Sequence, residues 1–305
     1  MSGVLGPALH LLTGKGGVGK TTLALGLALE AQARGGKPVV VELGHRSSLA
    51  SAAGRGGVAI GHDARALVGN VHASNVSLEH ALTDYLARRV RSRTVARGIT
   101  RSGALRTFFD AAPAVPEILT LEHIEALARR FDPVIVDLDA TGHALMFLEL
   151  PGLLARIAPR GPVGELVRSL GALLTDRART RIHLVTLAAA LPIEETLTLA
   201  AELSSRACPL GAIVVNRRAA RPIEPGDDAH ARALERAEGA SARDREALRV
   251  AREDAARWDD EERGLTRLDA TGLARVVLAE LESRDEHLAL AQIAALGKTA
   301  AEAIA

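Results

Sequence analysis

Cysteine, methionine and aromatic residues are scarce in this sequence. Its 305 residues include one cysteine, two methionines and 2% aromatic residues. The single cysteine, Cys208, excludes a disulfide within the chain and any zinc site built from several cysteines of one chain. Few aromatic rings argue against a stacking surface for single-stranded nucleic acid. No apolar run reaches the roughly 18 to 20 residues of a membrane span, and no basic leader precedes the first motif, so we expect a soluble, cytoplasmic protein.

Charge is nearly balanced, at a formal net charge of +1. That balance predicts no general attraction to nucleic acid, which we do not expect as a partner. One local exception is a run of arginines with no acidic residue between Asp84 and Asp110: Arg88, Arg89, Arg91, Arg93, Arg97, Arg101 and Arg106. Two interpretations of this run stay open. It forms either a solvated face or partner-subunit contacts, or else a patch for an anionic partner such as a membrane surface or nucleic acid.

The segment 14–21 is rich in glycine and carries the clearest chemical pattern. It fits G-x-x-x-x-G-K-T, a loop whose backbone N–H groups surround a phosphate. An apolar run precedes it and a helical pattern follows, so the helix N-terminus would face the bound anion. Lys20 would reach the terminal phosphates, and the Thr21 hydroxyl would bind Mg²⁺. The predicted nucleotide-binding residues here are Gly14, Lys15, Gly16, Gly17, Val18, Gly19, Lys20, Thr21 and Thr22.

A dinucleotide site is an alternative interpretation of the same glycines. Gly14, Gly16 and Gly19 also fit G-x-G-x-x-G, and Glu42 ends the next apolar run where such a fold has its ribose-binding carboxylate. This alternative gives Lys20 and Thr21 no role, because a dinucleotide pyrophosphate is bound by backbone groups. The sequence therefore favours a nucleotide-hydrolase loop.

Short apolar runs alternate with helical patterns along the chain, which is typical of a parallel sheet. Predicted strands cover about residues 9–12, 37–43, 134–137, 182–187, 211–215 and 275–281. We predict an α/β fold, a doubly wound and mostly parallel sheet with helices on both faces, of the P-loop NTPase type. A single domain would span residues 1–305, with a short helical insert at about 152–181 and a charged helical segment at about 222–264. Residues 44–70, rich in Gly, Ala and Ser, are expected to form a mobile loop.

A phosphate loop also needs an acidic residue at the carboxyl end of a neighbouring strand to hold the Mg²⁺ shell. Asp137 fits this requirement, because it ends the buried run that begins at Val134. The sequence therefore predicts Thr21 and Asp137 as the metal-site residues.

Three segments resemble the ArsA-like family of dimeric ATPases, which is related to MinD and ParA and to the ATPase that targets tail-anchored proteins. Lys15, directly after the first glycine, is similar to the deviant Walker A loop of this group. The segment that begins at Asp137, with Thr-Gly-His and a later Leu-Pro, is similar to the family's D-T-A-P-T-G-H-T-L-R switch. Val214-Val215-Asn216 is similar to its V-V-N segment. The resemblance covers roughly residues 9–220.

The resemblance implies an ATP-hydrolysing switch that couples its nucleotide state to an unidentified client or membrane partner. ATP would be bound between two subunits, in a homodimer or in a heterodimer with a paralogous ATPase. Lys15 would cross to the partner's phosphates, Asn216 would contact the adenine, and Asp137 would accompany Mg²⁺. The implied ligands are thus ATP and Mg²⁺.

The sequence departs from the family where an aspartate orients the attacking water. Gly44 stands in that position, and losing one such contact commonly lowers the rate by about 10² to 10⁴. Glu42 and Asp139 are candidate substitutes, so the predicted catalytic residues are Lys15, Lys20, Glu42 and Asp139. Alternatives are a hydrolysis-deficient subunit of a heterodimer and a surface-cycling ATPase like ParA or MinD. With two methionines and one cysteine, we expect neither a methionine-rich client groove nor arsenite activation.

Overall fold

A computed structural model of the chain describes residues 4–43, 48–90, 92–100, 115–138, 145, 147–150, 152, 160–281 and 288–304. Its centre is an eight-stranded sheet with the order β3-β4-β2-β5-β1-β6-β7-β8. The strands are β1 Leu9–Thr13, β2 Val39–Glu42, β3 Arg65–Val68, β4 Val71–Asn75, β5 Val134–Asp137, β6 Thr180–Leu187, β7 Leu210–Arg218 and β8 Ala274–Ala279. Every neighbouring pair is parallel except β3 and β4. The predicted α/β class is therefore confirmed.

Helices cover both faces of this sheet. They are α1 Lys20–Ala33, α2 Ser48–Ala52, α3 Leu78–Val90, α4 Arg93–Thr100, α5 Val115–Ala128, α6 Gly161–Thr175, α7 Ala190–Ser205, α8 Asp228–Glu235, α9 Ala242–Thr266 and α10 Leu290–Ile304. None of the helices in the described part of the chain is both long and apolar enough to span a membrane.

Two apolar cores lie on opposite faces of the sheet because successive strand residues point in opposite directions. In β5, Val134 and Val136 pack into the core with α5, α6 and α7, whereas Ile135 packs into the core with α1 and α10. All four residues of β5 are buried. Burial on both faces explains why the central strands appear in the sequence as continuous apolar runs.

The carboxyl ends of β1 and β5 form the point where the chain changes direction across the sheet. β1 lies between β5 and β6, and β5 lies between β2 and β1. From β1 the chain continues to β2, towards the β3 edge of the sheet. From β5 it continues to β6, towards the β8 edge, so the two connections run in opposite directions. Open α/β sheets bind ligands in the crevice at such a point.

The predicted mobile loop over residues 44–70 is wrong where its described part forms a helix and a strand. α2 begins at Ser48, and β3 pairs antiparallel with β4 at the edge of the sheet. Helix α2 has five residues, and the first two residues of β3 are exposed. Neither element therefore shows the apolar periodicity by which the sequence identifies a helix or strand.

The charged segment over residues 222–264 contains α8 and most of α9. Ser241 accepts a hydrogen bond from the backbone N–H of Asp244, and the Asp244 side chain accepts one from the Ser241 backbone. The two reciprocal hydrogen bonds form a capping box, which fixes where α9 begins. Arg218 of β7 bonds to Glu261, Glu262 and the Trp258 carbonyl oxygen, so α9 is attached to the sheet by a nearly buried guanidinium.

Candidate nucleotide-binding site

The glycine-rich loop joins β1 to α1 at the carboxyl edge of the sheet. Gly17 and Gly19 have positive φ angles of 84° and 93°, a backbone conformation that side chains disfavour. A Cβ atom on Gly14 would lie 2.1 Å from the Val185 carbonyl oxygen, so the loop can follow β6 this closely only with glycine there. Cβ atoms on Gly16 and Gly17 would meet nothing within 4 Å among the described residues. The loop is thus tight on its sheet side and open on the side where a phosphate would bind.

Lys20, the first residue of α1, is buried and directed back across the loop. Its Nζ donates hydrogen bonds to the carbonyl oxygens of Gly14 and Lys15, at 2.9 and 3.0 Å. Because these carbonyls belong to the glycine-rich loop, the ammonium group is held against that loop. A positive charge fixed at this place suits the terminal phosphates of a nucleotide.

Thr21 and Asp137 meet although 116 residues separate them in the chain. The Thr21 hydroxyl donates a hydrogen bond to Asp137 Oδ2, and the Ser48 hydroxyl lies 3.4 Å from Thr21 Oγ1. Hydroxyl and carboxylate oxygens are the hard ligands that Mg²⁺ prefers, usually with several waters and substrate phosphates completing the shell. The predicted metal pair is therefore adjacent, and its donor set fits the ion.

Glu42 lies beside Asp137, since the two residues are register partners in β2 and β5. Glu42 Oε1 accepts hydrogen bonds from Ser48 N at 2.8 Å, Ser48 Oγ at 2.5 Å and Leu49 N at 3.1 Å. This carboxylate thus caps the N-terminus of α2, where negative charge is favourable. Its other oxygen, Oε2, is buried without a hydrogen-bond partner among the described residues. A role for Glu42 in orienting water stays a prediction.

Lys15 forms an ion pair within its own chain. Its Nζ lies 2.9 Å from Oε1 of Glu195 in α7, and both side chains are partly exposed. The predicted role of Lys15, a contact with a partner's phosphates, stays a prediction. In the single chain Lys15 instead pairs with α7, the helix that follows β6.

Asn216, the predicted adenine residue, lies near the end of β7 against the loop. Its Nδ2 donates a hydrogen bond to the Val18 carbonyl oxygen at 2.8 Å. A Cβ atom on Gly19 would lie 2.3 Å from this Nδ2, so a glycine is required opposite the amide. A pocket of about 470 Å³ adjoins it and is lined by Thr22, Ala52, Asn216, Arg217, Ala279, Glu280, Leu281, Leu288, Ile293 and Leu296. An amide beside an apolar wall can accommodate the edge and faces of a base.

The structure brings most of the predicted residues to one edge of the sheet, and it adds residues that the sequence did not indicate. Gly44 and Asp139 lie outside the described residues, so their predicted places have no structural account. Ser48 was not among the predicted site residues. Its position at the start of α2, six residues after Glu42, allows Glu42 to cap that helix. Glu195 was missed because nothing in the sequence pairs it with Lys15, 180 residues earlier.

A glycine-rich loop at the carboxyl edge of a doubly wound sheet, with a lysine across it and a threonine against an aspartate, defines a P-loop nucleotide-binding protein. A family model described as the anion-transporting ATPase matches residues 8–160. The ATPase BagA of Mycobacterium tuberculosis is 33% identical over 246 residues, which span 74% of this chain and 69% of that protein. The ATPase GET3 of Kluyveromyces lactis is 30% identical over 181 residues, 54% of this chain and 50% of that protein.

The chain therefore belongs to the anion-transporting ATPase family, also called the ArsA family. This confirms the resemblance found in the sequence. Relatives in this comparison are ATPases by name, which favours ATPase chemistry over the dinucleotide alternative.

Proposed function

We propose that this chain binds ATP with Mg²⁺, hydrolyses it, and works as a dimeric switch that passes its nucleotide state to a partner. The observation that carries this proposal is the contact between Thr21 and Asp137 beside Lys20. Two hard oxygen donors lie in contact next to a loop that also holds an ammonium group. That set of groups suits a triphosphate with its divalent ion.

Each part of the nucleotide has a matching set of residues in this proposal. The loop amides and Lys20 bind the phosphates, and Thr21 and Asp137 hold Mg²⁺. When bound, Mg²⁺ neutralises the charge that develops on the β- and γ-phosphate oxygens. The adenine occupies the pocket beside Asn216, which gives up its hydrogen bond to the Val18 carbonyl oxygen or shares it with the base.

The proposed dimer uses Lys15 as the group that completes the partner's site. The partner is a second copy of the chain or a paralogous ATPase, and the client it serves has yet to be identified. In the single chain Glu195 neutralises the Lys15 charge. Dimer formation would therefore exchange a carboxylate for a phosphate as the acceptor of the Lys15 ammonium group.

Calorimetry of ATP with Mg²⁺ tests the binding half of the proposal. Lys20→Ala should weaken ATP binding about 10- to 100-fold, because a charged hydrogen-bond donor contributes about 1.5 to 3 kcal/mol. The exposed Lys298 of α10 supplies the matched control, and Lys298→Ala should bind as the wild type does. Unchanged ATP affinity in Lys20→Ala would contradict the proposed site.

A single-turnover assay with excess enzyme tests the hydrolysis half separately. ADP formation faster than in buffer with Mg²⁺ alone supports the ATPase. Tight ATP binding without ADP formation, both for the chain alone and with a paralogous partner, would instead show a binding module that hydrolyses nothing.

A further inference from the structure

Three ligand-type side chains from separate parts of the fold meet away from the phosphate loop. His62 precedes β3, Asp84 is in α3 and His123 is in α5. One possible ligand atom from each lies within 4.8 Å of the other two. In the part of the chain that the structure describes, this is the single group of three histidine, cysteine or acidic side chains that comes so close. We call these three residues the His62 cluster.

The hydrogen bonds of Ser74 determine which nitrogen of His123 is free to bind a ligand. The Ser74 hydroxyl donates its hydrogen to the His62 carbonyl oxygen at 2.7 Å. Its oxygen, 3.2 Å from His123 Nε2, is therefore left to accept a hydrogen bond from that nitrogen. A neutral imidazole with its proton on Nε2 keeps a lone pair on Nδ1. A second hydrogen bond of this kind commonly orients a histidine that binds a metal ion.

His62 and Asp84 face each other through atoms that can share an ion. His62 Nε2 lies 3.5 Å from Asp84 Oδ2, and it has no hydrogen-bond partner among the described residues although it is buried. The other carboxylate oxygen, Oδ1, accepts a hydrogen bond from Arg93 at 2.9 Å. The backbone N–H of Ser77 lies 3.4 Å from His62 Nδ1, a long contact that is weak enough to be given up.

Both histidines are neutral near pH 7, which is the form that binds a metal ion. Burial, and then the charge of the neighbouring His62, lower the pKa of His123 to about 4. Burial also lowers the pKa of His62, against an opposing effect of Asp84. Two neutral imidazole rings and one carboxylate group therefore lie close together in a largely buried site.

Solvent reaches the cluster through an adjoining pocket. The pocket has a volume of about 470 Å³, and Asp84 and His123 form part of its wall. Arg88, Arg93 and Arg130 also line it. An ion can enter this way, and coordination positions that the protein leaves open would be filled by water or by a small anion from the pocket.

We propose that His62, Asp84 and His123 bind a divalent transition-metal ion of the zinc type. Two imidazole nitrogens and one carboxylate oxygen form a donor set that suits Zn²⁺, Co²⁺ or Fe²⁺, whereas Mg²⁺ and Ca²⁺ require oxygen ligands. The ion would occupy the space between His62 Nε2 and Asp84 Oδ2 and would join the segment before β3 to α3 and α5. This site is independent of the nucleotide site, because it shares no residue with it.

Titration of the metal-free, full-length chain with Co²⁺, in buffer containing Mg²⁺, tests the site directly. Excess Mg²⁺ occupies the oxygen donors of the phosphate site, and Co²⁺ bound by nitrogen ligands has visible absorption bands. One equivalent should bind, and Zn²⁺ should displace it. His123→Ala and Asp84→Asn should each weaken binding at least about tenfold. His230→Ala, at an exposed histidine of α8, is the matched control and should bind as the wild type does.

Three outcomes would overturn the proposal. The first is the absence of Co²⁺ absorption when one equivalent is added to the wild type. The second is unchanged Co²⁺ affinity in both cluster variants. The third is a loss of binding in the His230→Ala control equal to that in the cluster variants. Far-UV circular dichroism of each variant shows whether the fold is kept. Asp84→Asn is the most informative variant, because the exchange is nearly isosteric and removes a ligand with little change of shape. ATP binding should be unaffected in Asp84→Asn. A negative result for the metal site therefore does not contradict the proposed nucleotide site.

Discussion

At the scale of single residues, the carboxylate of Glu195 determines where the Lys15 ammonium group lies in the isolated chain. Lys15 Nζ is 2.9 Å from Glu195 Oε1, with side-chain exposures of 42% and 38%. Exposed ion pairs of this kind contribute roughly 0 to 1 kcal/mol. Glu195 therefore holds Lys15 weakly enough for a phosphate of higher charge to displace it.

Glu195→Gln should strengthen ATP-dependent association of the protein, by at most about fivefold, because Lys15 no longer has to leave a carboxylate. Analytical ultracentrifugation with ATP and Mg²⁺ measures this change. The neighbouring Glu194 is the matched control, because it pairs with Arg267 instead of Lys15. Weaker association in Glu195→Gln than in Glu194→Gln would contradict a restraining role for Glu195.

The residues of the site that could be predicted from the sequence are those within one local motif or at the end of a strand. Lys20 and Thr21 belong to the loop pattern, and Asp137 follows from the rule that parallel strands end at one edge. Glu195 and Ser48 could not be predicted in the same way. Their contacts depend on how α2 and α7 pack, which no local spacing encodes.

At the scale of elements, helix α1 depends on α10 for its packing. A Cβ atom on Gly297 would lie 2.0 Å from the carbonyl carbon of Gly26, and one on Gly26 would lie 2.6 Å from the Ile293 carbonyl oxygen. Backbone atoms cannot move aside as a side chain can. The two helices therefore approach this closely only while both positions are glycine.

Gly297→Ala should destabilise the protein by about 1 to 2 kcal/mol, since overpacking costs about 1 to 3 kcal/mol and the higher helix propensity of alanine returns up to about 1 kcal/mol. Urea unfolding measures the loss. Gly98→Ala in α4 is the matched control, because its Cβ would meet nothing within 4 Å among the described residues. We expect that control to be neutral or stabilising; equal effects of the two substitutions would contradict the close helix contact.

The elements that the sequence predicted are those with a strong apolar pattern. β5, with all four residues buried, was predicted with its bounds, and α1 was predicted as the helix that follows the phosphate loop. α2, β3 and β4 were missed because they are short and lie at the edge of the sheet. These elements are stabilised by residues outside them, such as the Glu42 carboxylate for α2. Their own short sequences therefore carry too little apolar periodicity to predict them.

At the scale of the whole molecule, two histidines are enclosed at the centre of the sheet. His10 Nδ1 of β1 lies 3.1 Å from His183 Nε2 of β6, and neither side chain is accessible to solvent. Burial lowers the pKa of His10 to about 4, with Pro7 and Arg181 making smaller contributions of opposite sign. Burial, and then the charge of His10, lowers the pKa of His183 well below its usual range. A proton can reach this pair only when the sheet opens.

Stability should consequently fall as the pH decreases from 6.5 towards 4. In this range the unfolded chain binds protons at both histidines and the folded chain does not, so acid favours unfolding. With a pKa lowered from 6.5 to about 4, His10 alone contributes a loss of about 2 kcal/mol by pH 5, at about 1.4 kcal/mol per pH unit. Above pH 6.5 this contribution is fully present.

Urea unfolding at pH 7.5 and pH 5 of the wild type and of His183→Asn measures the effect. The asparagine Oδ1 can still accept the hydrogen bond that Ala212 N donates to His183 Nδ1 at 3.1 Å. His183→Asn should lose less stability between the two pH values than the wild type does, whereas His230→Asn at an exposed position should behave as the wild type. An unchanged pH dependence in His183→Asn would contradict a contribution of the buried pair to acid unfolding.

The contact between α1 and α10 also bears on how the protein is made. α1 carries Lys20 and Thr21, yet the helix that packs against its glycine face follows every described strand in the sequence. β1 likewise waits for β5 and β6 to be synthesised before it has neighbours on either side. On the ribosome the glycine face of α1 therefore has no α10 to pack against until that helix has left the exit tunnel.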